Sequence, residues 1–273
     1  MKKQSTYINQ LFSLKDKVVV ITGGYGLLGK QFAKAVSSAG AQVVVSGRNI
    51  DKAMQIAKDV GGFAVEIDVT QKQSIENAVE QIMCKFGKID GLINNASFSS
   101  PVNEKNNYSY SFESFSQKYW DKSIDVDLTG VFLCSQSIGR VMVKNNKGVI
   151  INISSIYGNV SPDQSIYRSI KDKNDNTFVK PISYCAVKSA VINITRYLSV
   201  YWAENNIRVN TLSLGGVKDN QNNVFVDAYS NKTPMGRMAK EGEYNGAIIF
   251  LLSDASSYMT GANLIIDGGW TAW

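Results

Sequence analysis

The sequence predicts an α/β fold: one domain over residues 1–273, built on a doubly wound, mainly parallel sheet of seven strands. Three observations predict it. Short apolar runs alternate with stretches of helical spacing, the pattern of repeated βαβ units. The runs are β-branched and nearly continuous, as in strands covered on both faces. A glycine-rich turn, Thr22-Gly23-Gly24-Tyr25-Gly26-Leu27-Leu28-Gly29, joins the first run to the first helical stretch.

The elements follow in order. The runs lie at residues 17–21, 42–45, 63–67, 89–93, 148–153, 208–212 and 263–266. Helical spacing falls at 27–38, 51–60, 74–86, a long stretch at 115–144, then 183–204 and 244–252. No Pro- or Gly-rich linker and no internal repeat divides the chain. Two segments break the rhythm: 97–110, rich in Ser, Asn and aromatic residues, and the polar stretch 159–181. Both follow strands, and open α/β sheets bind ligands beyond the carboxyl ends of their strands, so both are expected near a site.

Composition narrows the chemistry. The net charge is +6, but the lysines are spread without a dense basic tract, so no nucleic-acid partner is expected. No apolar run approaches about 18 residues, so no membrane span is expected. The first ten residues lack an apolar signal core, which makes the cytoplasm the default expectation. The three cysteines, Cys84, Cys134 and Cys185, are far apart, suggesting neither a disulfide framework nor a metal site. Histidine is absent. That excludes histidine bases and Ser-His-Asp triads, and leaves acid–base work to Tyr, Lys, Asp, Glu or Cys.

The glycine turn suits a dinucleotide. Glycine lets the backbone approach a pyrophosphate, and the helix that follows offers free N–H donors at its start. The turn residues Thr22, Gly23, Tyr25, Leu27 and Leu28 are therefore candidate cofactor contacts. The second run ends Ser46-Gly47-Arg48-Asn49. An acidic residue there would bind ribose hydroxyls; Arg48 instead matches a 2′-phosphate through its forked donors. NADP(H) is the expected cofactor, with NAD(H) also usable.

Several ordered motifs carry a resemblance: the turn at 22–29, Asp68, Asn94-Asn95-Ala96, Ser154-Ser155, Tyr184-Cys185-Ala186-Val187-Lys188, Gly215-Gly216, Thr260-Gly261 and Asp267-Gly268-Gly269. From about residue 15 to 270 the chain resembles the short-chain dehydrogenase/reductase family in its single-domain, Rossmann-type form. The resemblance implies that Asp68 and Val69 border the adenine, and that Asn95 and Ala96 run along the cofactor. It implies that Gly215 and Val217 lie in the loop against the nicotinamide, that Ser155, Tyr184 and Lys188 are catalytic, and that Lys188 also binds the nicotinamide ribose. It implies a homo-oligomer, tetramer or dimer, built on the long helix and the Tyr184 helix. The C-terminal stretch 258–273 is more loosely similar to sugar-modifying members, some linked to flagellin glycosylation.

The chain departs from the family at four places. Gly26 stands one residue before the usual glycine, Ser97 replaces a glycine, Leu214 stands where proline is common, and Asp127 replaces a catalytic asparagine. In relatives that asparagine's main-chain carbonyl holds a relay water. Asp127 keeps the carbonyl and so remains a catalytic candidate, but its carboxylate also acts on Lys188 or disturbs the relay.

The chemistry is consistent on its own terms. Tyr184 and Lys188, spaced i and i+4, share one helix face. An ammonium nearby favours the phenolate and brings the phenol toward the range useful for proton transfer. Ser155 would steady charge on a substrate oxygen. The spacing from Ser155 to Tyr184 exceeds the family's. The extra residues, 161–181, include Arg168, Lys171, Lys173 and Lys180 with Asp163, Asp172 and Asp175. They read as a lid or wall over a small polar substrate, or as a surface excursion or oligomer contact.

The expected activity is NADP-dependent hydride transfer between a nicotinamide and a carbonyl or hydroxyl group, on a sugar or sugar derivative in surface-glycan synthesis. A 3-oxoacyl-thioester reductase and a non-catalytic nucleotide-binding protein stay open as alternatives.

Overall fold

Each of the seven apolar runs becomes a strand in the computed structural model, which describes residues 4–98, 111–171 and 177–273. The strands are β1 (Val18–Thr22), β2 (Gln42–Gly47), β3 (Phe63–Glu66), β4 (Gly91–Asn94), β5 (Gly148–Ser155), β6 (Ile207–Leu214) and β7 (Asn263–Ile266). They form one sheet in the order β3-β2-β1-β4-β5-β6-β7, and every pair is parallel. Every residue of β1, β4 and β5 is buried, which is why these strands read as unbroken apolar runs. Successive residues point to opposite faces: Val19 and Ile21 enter one core, Val18 and Val20 the other.

The helices are α1 (Gln4–Leu11), α2 (Leu27–Ser38), α3 (Ile50–Val60), α4 (Lys72–Phe86), α5 (Gln117–Ile124), α6 (Gly130–Lys144), α7 (Ile182–Tyr201), α8 (Asn223–Asn231) and α9 (Asn245–Leu252). Phe32 and Val36 of α2, Ala53 and Ala57 of α3, and Ile248 and Leu251 of α9 fill the first core. Ile75 and Ile82 of α4, with Cys134, Ile138 and Met142 of α6, fill the second. The strand order reverses between β1 and β4, and that switch point opens a crevice at the carboxyl ends of the strands.

Three elements differ from expectation. The helices α1 and α8 were not anticipated. The expected helix over 115–144 starts at Gln117 and is interrupted by a π turn, Asp125–Thr129, between α5 and α6. Part of the segment 97–110 and residues 172–176 of the insert lie outside the described residues. The rest of the insert is less polar inside than its composition suggests. Ile166, Tyr167, Ile170 and Phe178 are buried in a third core with Tyr157, Phe225, Tyr229 and Trp270. Among the described residues, no helix is long and apolar enough to cross a membrane.

Candidate active site

A cleft of about 980 Å³ runs along the carboxyl ends of the strands. One end is framed by the turn between β1 and α2. Gly23 has φ +62°, and a Cβ there would stand 2.9 Å from Ala96 Cα; a Cβ on Gly29 would stand 2.3 Å from the Gly23 carbonyl. Both glycines hold a cradle that side chains would fill. Gly26, the displaced glycine, has an ordinary φ of −71°. The backbone there does not depend on glycine, so the departure leaves the turn intact.

Gly23, Tyr25, Leu27, Leu28, Arg48, Asp68, Val69, Asn95, Ala96, Gly215 and Val217 line the cleft, as do Ser155, Tyr184 and Lys188. Thr22 and Asp127 do not. Thr22 is buried, and its hydroxyl accepts the N–H groups of Asn95 and Ala96, each at 3.0 Å. Asn95 returns its side-chain amide to the carbonyls of Thr22 (3.0 Å) and Gly23 (3.1 Å). The two residues stitch the glycine turn to the end of β4. Tyr25 covers Gly47, where a Cβ would come within 2.4 Å of its ring, and its hydroxyl accepts the Asn49 N–H at 3.4 Å. Arg48 lies exposed beside it. Asp68 Oδ1 accepts from the N–H (3.0 Å) and hydroxyl (2.8 Å) of Thr70, which fixes the carboxylate at the cleft edge. Glycine cradle, helix start and open arginine together fit a phosphorylated dinucleotide.

Toward the middle of the cleft, Ser155 ends β5 and its Oγ accepts the Tyr157 N–H at 3.2 Å, leaving its own proton to donate. The following turn lies hard against α7. A Cβ on Gly158 would meet Ser154 Oγ at 2.6 Å and the Lys188 carbonyl at 2.7 Å. This close approach brings Ser155 and Tyr184 into one wall. Lys188 is buried, with Nζ 3.3 Å from the Ile153 carbonyl and 3.2 Å from Asp127 Oδ1. Asp127 sits behind the lysine at 1% exposure. Its carboxylate also accepts from Ser97 Oγ and, at 2.8 Å, from the Phe98 N–H. Two of the departures, Ser97 and Asp127, are thus partners of each other.

The third core forms the other wall, and sequence reasoning missed most of it. Tyr167 donates to Tyr157 at 2.9 Å, and Tyr229 stacks on Trp270 with centroids 4.4 Å apart. The Tyr229 hydroxyl accepts the Gly216 N–H at 2.6 Å. Burial pushes Tyr157 and Tyr167 well above the ordinary phenol range and Tyr229 up to about 12. Tyr184 is half-buried and has two ammonium groups over its ring. Lys180 Nζ is 4.0 Å and Lys188 Nζ 5.7 Å from the centroid. Lys180 stands four residues before Tyr184, as Lys188 stands four after. Pro181 between them hid that symmetry, because a proline there ends rather than continues a helical reading.

A family model described as Enoyl-(Acyl carrier protein) reductase matches residues 27–271. The chain is 34% identical to an NAD-dependent glycerol dehydrogenase of Listeria innocua, over 95% of this chain and 96% of that one. It is 29% identical to the post-translational flagellin modification protein A of Campylobacter coli, over 94% and 99% of the two chains. Among solved structures, a short-chain type dehydrogenase/reductase from Mycobacterium marinum superposes with a TM-score of 0.82 at 32% identity, covering 96% of this chain and 98% of the other.

Proposed function

The chain belongs to the short-chain dehydrogenase/reductase family, and on that premise we propose that it interconverts a hydroxyl and a carbonyl on a small polyol or sugar derivative, preferring NADP(H) to NAD(H). The observation that carries this reading is the convergence of Ser155, Tyr184 and a fixed Lys188 in the cleft that the glycine turn opens. Gly23, Tyr25, Leu27 and Leu28 would hold the pyrophosphate at the start of α2, with Thr22 bracing them through Asn95. Arg48 would take the 2′-phosphate, Asp68 and Val69 the adenine, and Ala96, Gly215, Val217 and Lys188 the nicotinamide side.

When bound, a nicotinamide cofactor would supply or accept the hydride. Ser155 donates to the substrate oxygen and steadies its charge. Tyr184 gives or takes the proton at that oxygen. Lys188, held by Ile153 and Asp127, cannot swing away from the site. The Listeria relative supports a polyol substrate, and the Campylobacter relative, named for flagellin modification, is compatible with a sugar-derivative substrate used in modifying a surface structure. Exposed Phe132 on α6 and Tyr197, Val200 and Tyr201 on α7 support a homo-oligomer.

Turnover of a polyol and sugar panel with each cofactor tests the reading. Tyr184→Phe is expected to lower kcat by about 10²–10⁴-fold. Near-normal turnover in that variant refutes it.

A further inference from the structure

The two ammonium groups over Tyr184 have different surroundings. Lys188 Nζ is 3.2 Å from the buried Asp127 carboxylate. Seen from the Tyr184 ring, that pair is a dipole, whose field fades faster with distance than that of a lone charge. Lys180 Nζ is closer, at 4.0 Å from the ring centroid. Among the described residues, no carboxylate lies within ion-pair distance of it. The insert fixes its place. Gln164 Oε1 accepts the Lys180 N–H at 2.9 Å, and Gln164 Nε2 donates to the Lys180 carbonyl at 3.4 Å. Buried Pro181 then caps the start of α7. Lys180 is thereby held one turn ahead of Tyr184 by a segment the sequence adds before α7.

We propose that Lys180 is the positioning residue whose cation favours the ionised Tyr184, a task Asp127 takes away from Lys188. The proposal rests on Tyr184 being the proton carrier. In alcohol oxidation the Tyr184 phenolate takes the substrate hydroxyl proton and becomes a phenol, while the substrate carbon gives its hydride to the cofactor; reduction reverses both transfers.

The other titratable groups around Tyr184 do not supply that charge. Tyr157, Tyr167 and Tyr229 are buried phenols with raised pKa values, and burial also raises the Cys185 thiol on α7. All four are neutral near pH 7. Lys122 of α5, Asp125 of the π turn and Asp219 after β6 line the same cleft. The Lys122 ammonium stands 4.8 Å over the Phe98 ring.

The pH dependence of kcat/KM for oxidation of the best panel polyol, with glycerol tried first, tests this. Lys180→Met removes the cation nearest the ring, so the acid limb moves to higher pH. Lys180→Arg restores it. Asp127→Asn releases Lys188 and moves the limb to lower pH; should Lys180→Met not fold, Lys180→Gln removes the same charge and carries the test. An unmoved limb in either charge-removing variant overturns the proposal, as does a raised KM with an unmoved limb, which makes Lys180 a substrate contact only. If Tyr184→Phe is inactive while the limb stays put, only this inference falls. If Tyr184→Phe keeps its turnover, or no polyol or sugar is turned over, the underlying reading falls first and takes this one with it.

Discussion

Arg48 is the residue on which the proposed preference for NADP(H) turns. It is exposed at the end of β2, and among the described residues no carboxylate pairs with it. A hydrogen bond to a charged group contributes roughly 1.5–3 kcal/mol. Arg48→Ser is therefore expected to lower kcat/KM with NADP(H) by about 10–100-fold and to change it little with NAD(H). Steady-state kinetics with both cofactors measures the ratio, and an equal loss with each would remove Arg48 from phosphate recognition. Arg48, Ser155, Tyr184 and Lys188 were legible in the sequence because each has a fixed offset from a strand end or along one helix face. Lys180 was legible only as one of several charged residues of a candidate substrate wall, without its place over Tyr184, and Tyr229 was not legible at all. They reach the cleft only through tertiary packing, the one behind a proline and the other on a helix whose polar start hid its two buried aromatic residues. The partnership of Ser97 with Asp127 was equally hidden: each departure was visible alone, but only the fold puts them in contact.

The elements that deviated did so where packing overrides local pattern. The strands were readable because β1, β4 and β5 are buried end to end. The long helix was readable too, but its interruption was not. The π turn at Asp125–Thr129 carries Asp127 inward, where Lys188, Ser97 and Phe98 hold its carboxylate. A π turn adds a residue without changing the apolar period enough to show, and such turns are frequent at functional sites. Immediately after it, Gly130 passes so close to Val69 that a Cβ would stand 2.8 Å from Val69 Cγ2. The outer faces of α6 and α7 bear Phe132 at 51%, Tyr197 at 66% and Val200 at 79% exposure. Apolar side chains this open fit the proposed homo-oligomer, in which a second copy would cover them. Light scattering is expected to give at least twice the mass of one chain, and Val200→Lys to lower it. A stable monomer would contradict the homo-oligomer.

At the scale of the molecule, the proposed cofactor half and substrate half of the cleft rest on different cores. The glycine turn stands on the first core, with Phe32 and Val36 beneath it. The far wall stands on the third core, which gathers segments from across the chain: Tyr157, the insert residues Ile166, Tyr167, Ile170 and Phe178, Phe225 and Tyr229 of α8, and Trp270 near the C-terminus. Trp270 is the hub. Its ring stacks on Tyr229 at 4.4 Å and meets Tyr157 edge-on at 6.5 Å. Tyr229 in turn holds the Gly216 N–H at 2.6 Å, so the C-terminal stretch reaches the loop after β6 through one stacked ring. Trp270→Ala removes a buried ring from this wall and is expected to cost about 3 kcal/mol of stability, read by urea denaturation. Because the first core is untouched, the same variant should raise KM for the polyol far more than Kd for NADP(H), read by cofactor fluorescence. An equal loss in both would mean that the two halves are one cooperative unit, with the C-terminal tryptophan supporting the cofactor turn as much as the substrate wall.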